Sequence, residues 1–211
     1  MTKIIIFDFD GTLADTLNTL LNLSNRLSSE FGYKSTTSEE LEQLRHLTSW
    51  QIIRYSGISL FKLPCLLRRL KAEFNNEIKE VRLFSGIPEM IIDLKKLGYQ
   101  LGIITSNSQE NVSRVMEKYY LKDCFNFIYS SRNLFNKHEV IHSWLKENNI
   151  EPNDVVYVGD ETRDINAAKK AKIKVIAVSW GFHTQETLES HKPDGLIASP
   201  EHLREVLKSW K

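Results

Sequence analysis

Lys3-Ile4-Ile5-Ile6-Phe7-Asp8-Phe9-Asp10-Gly11-Thr12-Leu13 is the stretch from which the rest of the chain can be read. Ile4 to Asp8 is β-branched and aromatic without polar alternation, which predicts a strand buried on both faces. It ends in two carboxylates two positions apart, followed by Gly11. Extended residues two apart project to the same side, so Asp8 and Asp10 would aim at one point just past the strand. Two carboxylates that close resist joint ionisation unless a cation holds them. A solvated turn draws on the same residue types, so the remainder of the chain has to separate the two readings.

The chain has 211 residues, with 28 basic and 27 acidic side chains. That is enough to bury a proper core, and the balanced charge gives no sign of a nucleic-acid or polyanion binder. Cys65 and Cys124 lack the paired spacing of a disulfide frame or a zinc site. They fit reduced core thiols in a cytoplasmic protein. The strand begins almost at Met1, so no cleavable signal is expected. No apolar run is long enough to cross a bilayer, and no membrane partner is expected.

After the first strand, Leu17, Leu20, Leu21, Leu27 and Phe31 predict a helix from about Thr16 to Phe31, stopped by Gly32. Residues 33–83 then read as helical with no strand among them. Thr37 with Glu40 and Thr48 with Gln51 have capping-box spacing, and a longer amphipathic helix follows Pro64. From Gly86 helices and strands alternate, with strands at Gln100–Thr105, Phe125–Ser130, Asp154–Gly159 and Lys174–Val178. Ser199-Pro200-Glu201 opens a last helix. Such alternation predicts an α/β fold, a Rossmann-like parallel sheet with helices on both faces. The expected domains are a core of residues 1–15 and 84–211 and an inserted helical domain of residues 16–83.

Ligands of open parallel sheets bind beyond the carboxyl ends of the strands. Strand one ends in Asp8 and Asp10, and strand two in Thr105-Ser106-Asn107 at a helix start, where a hydroxyl beside backbone N–H groups suits a phosphate oxygen. An ordinary Ser/Asn helix cap would look the same. Strand four ends in Gly159-Asp160-Glu161-Thr162-Arg163-Asp164, also at a helix start. Glu161 and Asp164 there could serve the helix dipole alone, an explanation that suits Asp160 less well.

Asp8-Phe9-Asp10-Gly11-Thr12-Leu13-Ala14-Asp15-Thr16 resembles the DxDGTLxDT signature of the haloacid dehalogenase superfamily, in its phosphoglycolate phosphatase-like branch. Thr105 falls on the second motif of that superfamily, Lys137 is the natural candidate for the third, and Asp160, Asp164 and Ile165 match the fourth, GDxxxDI. The resemblance spans about residues 1–15 and 84–200. It implies a Mg²⁺-dependent phosphatase acting on a small-molecule phosphate ester. In that mechanism Asp8 takes the phosphoryl group as an aspartyl-phosphate, and Asp10 protonates the leaving oxygen and then deprotonates water. Mg²⁺ would be bound by Asp8, the backbone carbonyl of Asp10, and Asp160, with Asp164 orienting from behind. Thr105 and the turn of Gly11, Ser106 and Asn107 would hold phosphoryl oxygens, and Lys137 would offset charge. The inserted helices resemble the mobile cap of the family, and Arg45, His46 and Arg54 there could meet an anionic substrate tail. Charge counting agrees, since four aspartates and a phosphate together need cations.

Asp10 is lacking in the dehalogenases and phosphonate-cleaving members, so the branch is narrowed to phosphate-ester phosphatases or a phosphomutase. Two departures stand out: Ala171-Lys172-Ile173-Lys174 replaces a commoner Ala-Gly-Ile-Pro, and His138 follows Lys137 where Pro is usual. No particular ester and no oligomeric state follows from the residues. His138-Glu139-Val140-Ile141-His142 is a literal HExxH, the pattern of zinc proteases. It lies at the border of an amphipathic helix with no third ligand after it. A phospho-accepting receiver would carry its acceptor Asp in mid-chain and no inserted helices. A degenerate, non-catalytic phosphoryl-binding protein sits poorly with intact Asp8, Asp10 and Asp160.

Overall fold

The structure is a computed structural model that describes residues 3–131 and 136–210. The outer limits drawn for the core, residues 1 and 211, lie outside the described residues, as do Leu134 and Phe135 before Lys137. In chain order the elements open with β1 (Ile4–Phe7), β2 (Ala14–Asp15), α1 (Leu17–Phe31), α2 (Ser38–Leu44), α3 (Ser49–Ser56), α4 (Leu63–Glu77) and β3 (Arg82–Leu83). The alternating part then runs α5 (Ile87–Lys96), β4 (Gln100–Thr105), α6 (Gln109–Lys118), β5 (Phe127–Ser130), α7 (Lys137–Glu147) and β6 (Val155–Gly159). It closes with α8 (Thr162–Lys170), β7 (Lys174–Val178), α9 (Gln185–Ser190), β8 (Gly195–Ile197) and α10 (Leu203–Ser209).

Six strands form one parallel sheet in the order β5-β4-β1-β6-β7-β8, so β1 lies inside it between β4 and β6. The unbroken apolar run of β1 is explained by its two faces. Ile5 and Phe7 join α5, α6 and α10 through Ile91, Val112 and Leu203, while Ile4 and Ile6 join α7 and α8 through Ile141, Trp144 and Ile165. Successive strand residues point to opposite faces, and both faces are covered by helices. The chain order reverses at β1, where it leaves for β4 on one side and returns to β6 on the other.

Helices α1 to α4 carry a small core of their own, Leu27, Phe31, Ile58 and Leu66. Both predicted capping boxes form, Thr37 with Glu40 and Thr48 with Gln51. The reading of residues 33–83 as free of strands needs correction. β3 pairs antiparallel with β2, Ala14 opposite Leu83 and Asp15 opposite Arg82, so the chain enters and leaves the helices through a two-stranded ribbon. Two residues per strand are too few for a period-two pattern to register. β8 and α9 were likewise too short to be read from the sequence. Cys65 is exposed on α4 and not a core thiol. No described helix is long and apolar enough to cross a membrane.

Candidate active site

Phe7 is in register with Ile103 of β4 and Val158 of β6, so the residues that leave these strands sit side by side. The Asp8 N–H donates to the Val158 carbonyl at 2.9 Å. Asp8 is buried, and its Oδ1 accepts from the Phe9 N–H at 2.8 Å. The Lys137 ammonium forms an ion pair with Asp8 Oδ2 at 2.8 Å, and this buried oxygen has no hydrogen-bond partner besides. Lys137 opens α7 and also donates to Asp164 Oδ1 at 2.5 Å, with its ammonium 5.3 Å from the centre of the Tyr157 ring. Burial works against its charge, but Asp164 and Asp8 outweigh it and hold the lysine above its ordinary pKa.

Asp160 is fully buried, accepting from the Thr12 hydroxyl at 2.7 Å and from the Phe182 N–H at 2.7 Å. Asp164 Oδ2 accepts from the Glu161 N–H at 3.1 Å, half of the reciprocal cap that starts α8. Burial, then the charges of Glu161, Asp164 and Asp8, push Asp160 well above the usual carboxylate range. Asp164 is raised to about 6, chiefly by burial, with Lys137 opposing. Gly11 and Gly181 let the backbone close on Asp160. A Cβ on Gly11 (φ +74) would sit 2.2 Å from Asp160 Oδ2, and one on Gly181 would sit 2.3 Å from the same atom.

The Asp10 carboxylate accepts from Asn107 Nδ2 through both oxygens, at 3.2 and 3.0 Å. Burial first, then the charge of Asp8, raises it to about 7. One oxygen each of Asp8, Asp160 and Asp164 lies within 4.8 Å of the others, and this is the one such cluster among the described residues. Five carboxylates, Asp8, Asp10, Asp160, Glu161 and Asp164, stand against the cations of Lys137 and Arg163. Hard oxygen donors, an unsatisfied Asp8 oxygen and an excess of negative charge fit a divalent cation such as Mg²⁺.

Residues 5–178 match the haloacid dehalogenase-like hydrolase family. The chain belongs to that family. Among its relatives, a phosphoglycolate phosphatase of Synechococcus elongatus is 32 % identical over 203 residues, 96 % of each chain. The pyrophosphatase PpaX of Bacillus velezensis is 27 % identical over 209 residues, 96 % of this chain and 94 % of its own. A haloacid dehalogenase-like family hydrolase from Streptococcus pneumoniae shares the fold with a TM-score of 0.81 at 24 % identity, over 100 % of this chain and 99 % of its own. CbbY of Rhodobacter sphaeroides, solved in complex with phosphate, superposes with a TM-score of 0.74 at 25 % identity, over 96 % of both chains.

This haloacid dehalogenase-like hydrolase gathers Asp8, Asp10, Thr105, Lys137, Asp160 and Asp164 at one edge of its sheet, and departs from the sequence reading at other positions. The Gly11 N–H donates to Ala14 O at 2.9 Å, so Gly11 acts through its missing side chain and not as a phosphoryl donor. Asn107 gives its amide to Asp10 and not to a ligand. Thr105 is buried, its hydroxyl accepting from the Asn107 N–H at 3.2 Å, and Ser106 follows it into the turn. Arg45 is not free for a substrate tail. Its Nε donates to Phe182 O at 3.2 Å and Nη2 to Gly181 O at 3.1 Å, while Nη1 meets Glu42 Oε2 at 3.2 Å. His142 is exposed while Ile141, Trp144 and Leu145 are buried, so the HExxH pair belongs to an ordinary amphipathic helix.

Several side chains escaped the sequence reading. Thr12 holds Asp160, and Arg163 pairs with Glu161 Oε1, its Nε donating at 2.9 Å. His183 Nδ1 accepts from the Thr162 N–H at 3.0 Å, with Ser49 of α3 reaching Glu161 at 3.2 Å nearby. Lys71 of α4 feels Asp10: burial weakens its charge and Asp10 supports it. The loop after β7 could have been suspected, because it follows a strand's carboxyl end. Lys71 carries no comparable signal on the polar side of its helix.

Proposed function

We propose that the chain is a Mg²⁺-dependent phosphatase that hydrolyses a small-molecule phosphate monoester through an aspartyl-phosphate on Asp8. The observation that carries this reading is Asp8 Oδ2, a buried carboxylate oxygen without a hydrogen bond, 2.8 Å from a lysine ammonium, with a second carboxylic acid two residues on. Asp8 Oδ2 attacks phosphorus while the bond from phosphorus to the ester oxygen breaks, and Asp10 delivers its proton to that oxygen. Water then attacks the aspartyl-phosphate, returns a proton to Asp10, and releases inorganic phosphate with Asp8 restored. An acid poised at about 7 suits both directions of transfer near neutrality. Lys137 neutralises part of the charge that Asp8 and the phosphoryl group bring together. Asp8, the Asp10 backbone carbonyl and Asp160 would hold Mg²⁺, which supplies positive charge to the phosphoryl oxygens, while Asp164 fixes Lys137.

In this reading, helices α1 to α4 are the cap over residues 1–15 and 84–211, and the enzyme is cytoplasmic. The Synechococcus relative at 32 % identity favours phosphoglycolate as substrate, with pyrophosphate next from the PpaX relatives. Phosphate release is to be measured on both compounds, and on a panel of other esters, with and without Mg²⁺. We expect Mg²⁺-dependent turnover that Asp8→Asn abolishes while the thermal transition stays. Metal binding with no turnover of any ester would favour a non-catalytic phosphoryl-binding protein.

A further inference from the structure

The support of Asp10 leads away from the metal-binding carboxylates and into the inserted helices. Ser108 N–H donates to Asn107 Oδ1 at 2.8 Å, and a backbone N–H can only donate. That settles which end of the Asn107 amide is which, and turns Nδ2 towards the Asp10 carboxylate. Asn107 Oδ1 accepts in addition from Asn111 Nδ2 at 3.0 Å, and that same nitrogen donates to Asn75 Oδ1 of α4 at 2.6 Å. Each link therefore has one permitted polarity, and the row runs Asp10, Asn107, Asn111, Asn75. Asn111 is 2 % exposed in the third position of α6, whereas Asn75 stands on the exposed side of α4. Lys71 shares the face of Asn75, four residues earlier on the same helix. α4 thus meets the acid through an amide row.

We infer that Asn111 and Asn75 are positioning residues that make the aim of the Asp10 carboxyl depend on α4 being seated against α6. When α4 is seated, both hydrogens of the Asn111 amide are used, and Asn107 is gripped by Asn111 as well as by Ser108. When α4 lifts, Asn111 loses one partner and the grip on Asn107 relaxes. A general acid acts only within hydrogen-bond reach of the leaving oxygen, so the full proton donor is assembled only with the inserted helices in place. The inference rests on the reading of Asp10 as the acid and adds to it a route by which those helices control the proton.

Leaving groups separate the two ideas. An alkyl oxygen needs a proton as it departs, whereas p-nitrophenolate does not. Asn111→Leu should lower kcat/KM, which reports the step in which the ester oxygen departs and not the later attack of water, by about 10- to 100-fold on phosphoglycolate, or on whichever alkyl phosphate turns over best, part of the ~10²–10⁴ a general acid contributes. The same variant should lose less than about threefold in kcat/KM on p-nitrophenyl phosphate. Asn75→Ala, on an exposed helix face and safe for folding, should show the same preference at about three- to tenfold; it decides the matter alone if Asn111→Leu does not fold. Equal losses on both esters, or none, would overturn the inference. Asp10→Ala is the reference: if it too fails to discriminate between leaving groups, the acid assignment itself is wrong and the positioning role falls with it. A selective Asp10 variant beside unselective asparagine variants refutes the positioning role alone.

Discussion

Replacing Lys137 with Met keeps an unbranched side chain, one atom shorter, and removes its charge, and the structure sets what that should do. The ammonium is 2 % exposed, 2.8 Å from Asp8 Oδ2 and 2.5 Å from Asp164 Oδ1. Removing one member of a buried ion pair leaves an uncompensated charge and typically costs about 3–5 kcal/mol. Here two carboxylates are stranded, but Asp164, raised to about 6 already, can take up a proton, which limits the loss. We therefore expect Lys137→Met to lose about 3–4 kcal/mol near pH 7 in the absence of metal. At about 2–4 °C per kcal/mol for a chain of this size, that is a fall of about 6–16 °C in Tm. Mg²⁺ supplies the missing positive charge, so it should raise the Tm of the variant more than that of the wild type. Acid should narrow the gap as Asp164 protonates. Thermal unfolding followed by circular dichroism, with EDTA and then with excess Mg²⁺, reads all three effects. A fall equivalent to less than about 1 kcal/mol, the range of an exposed pair, would refute the reasoning, as would an equal Mg²⁺ response in both proteins.

Gly181→Ala would place a Cβ 2.3 Å from both Asp160 Oδ2 and the Gly11 carbonyl, so the loop must move; we expect a loss of about 1–3 kcal/mol and weaker Mg²⁺ binding by calorimetry. Asp10, raised from 3.8 to about 7, is the protonated donor below that value, so kcat/KM should fall as pH rises above about 7. The same upward shift makes its contribution to stability complete at low pH and lost as pH rises towards about 7, which Asp10→Asn should flatten in a pH series of denaturant titrations. His138→Ala should leave phosphate release within about twofold of wild type, since His138 belongs to an ordinary amphipathic helix; loss of all activity would reopen the zinc reading.

The β1 strand, its carboxylates and the Gly159-Asp160 turn were legible because a doubly buried parallel strand has no polar alternation and acids directly after it have few structural uses. A lysine opening a helix is ordinarily solvated, and only the tertiary structure shows Lys137 buried between Asp8 and Asp164. Arg45 was misjudged for the opposite reason: a basic residue near a cap turn suggests an anion, but the chain brings it against the Gly181 and Phe182 carbonyls. Asn107 lies in the phosphate-suiting turn, yet its amide belongs to the acid.

By itself the sequence determined the alternation of strands and helices, the strand ends that bear carboxylates, and the helical insertion after β1, because periodicity and local turn chemistry are properties of neighbouring residues. Only the tertiary structure decided which oxygens of Asp8, Asp160 and Asp164 converge, that Gly11 and Gly181 must lack side chains, and that Asn75 reaches Asp10 through two further asparagines. Those facts depend on strands distant in sequence lying about 5 Å apart in the sheet, and on a helix packed across the end of it, and no local pattern encodes either distance.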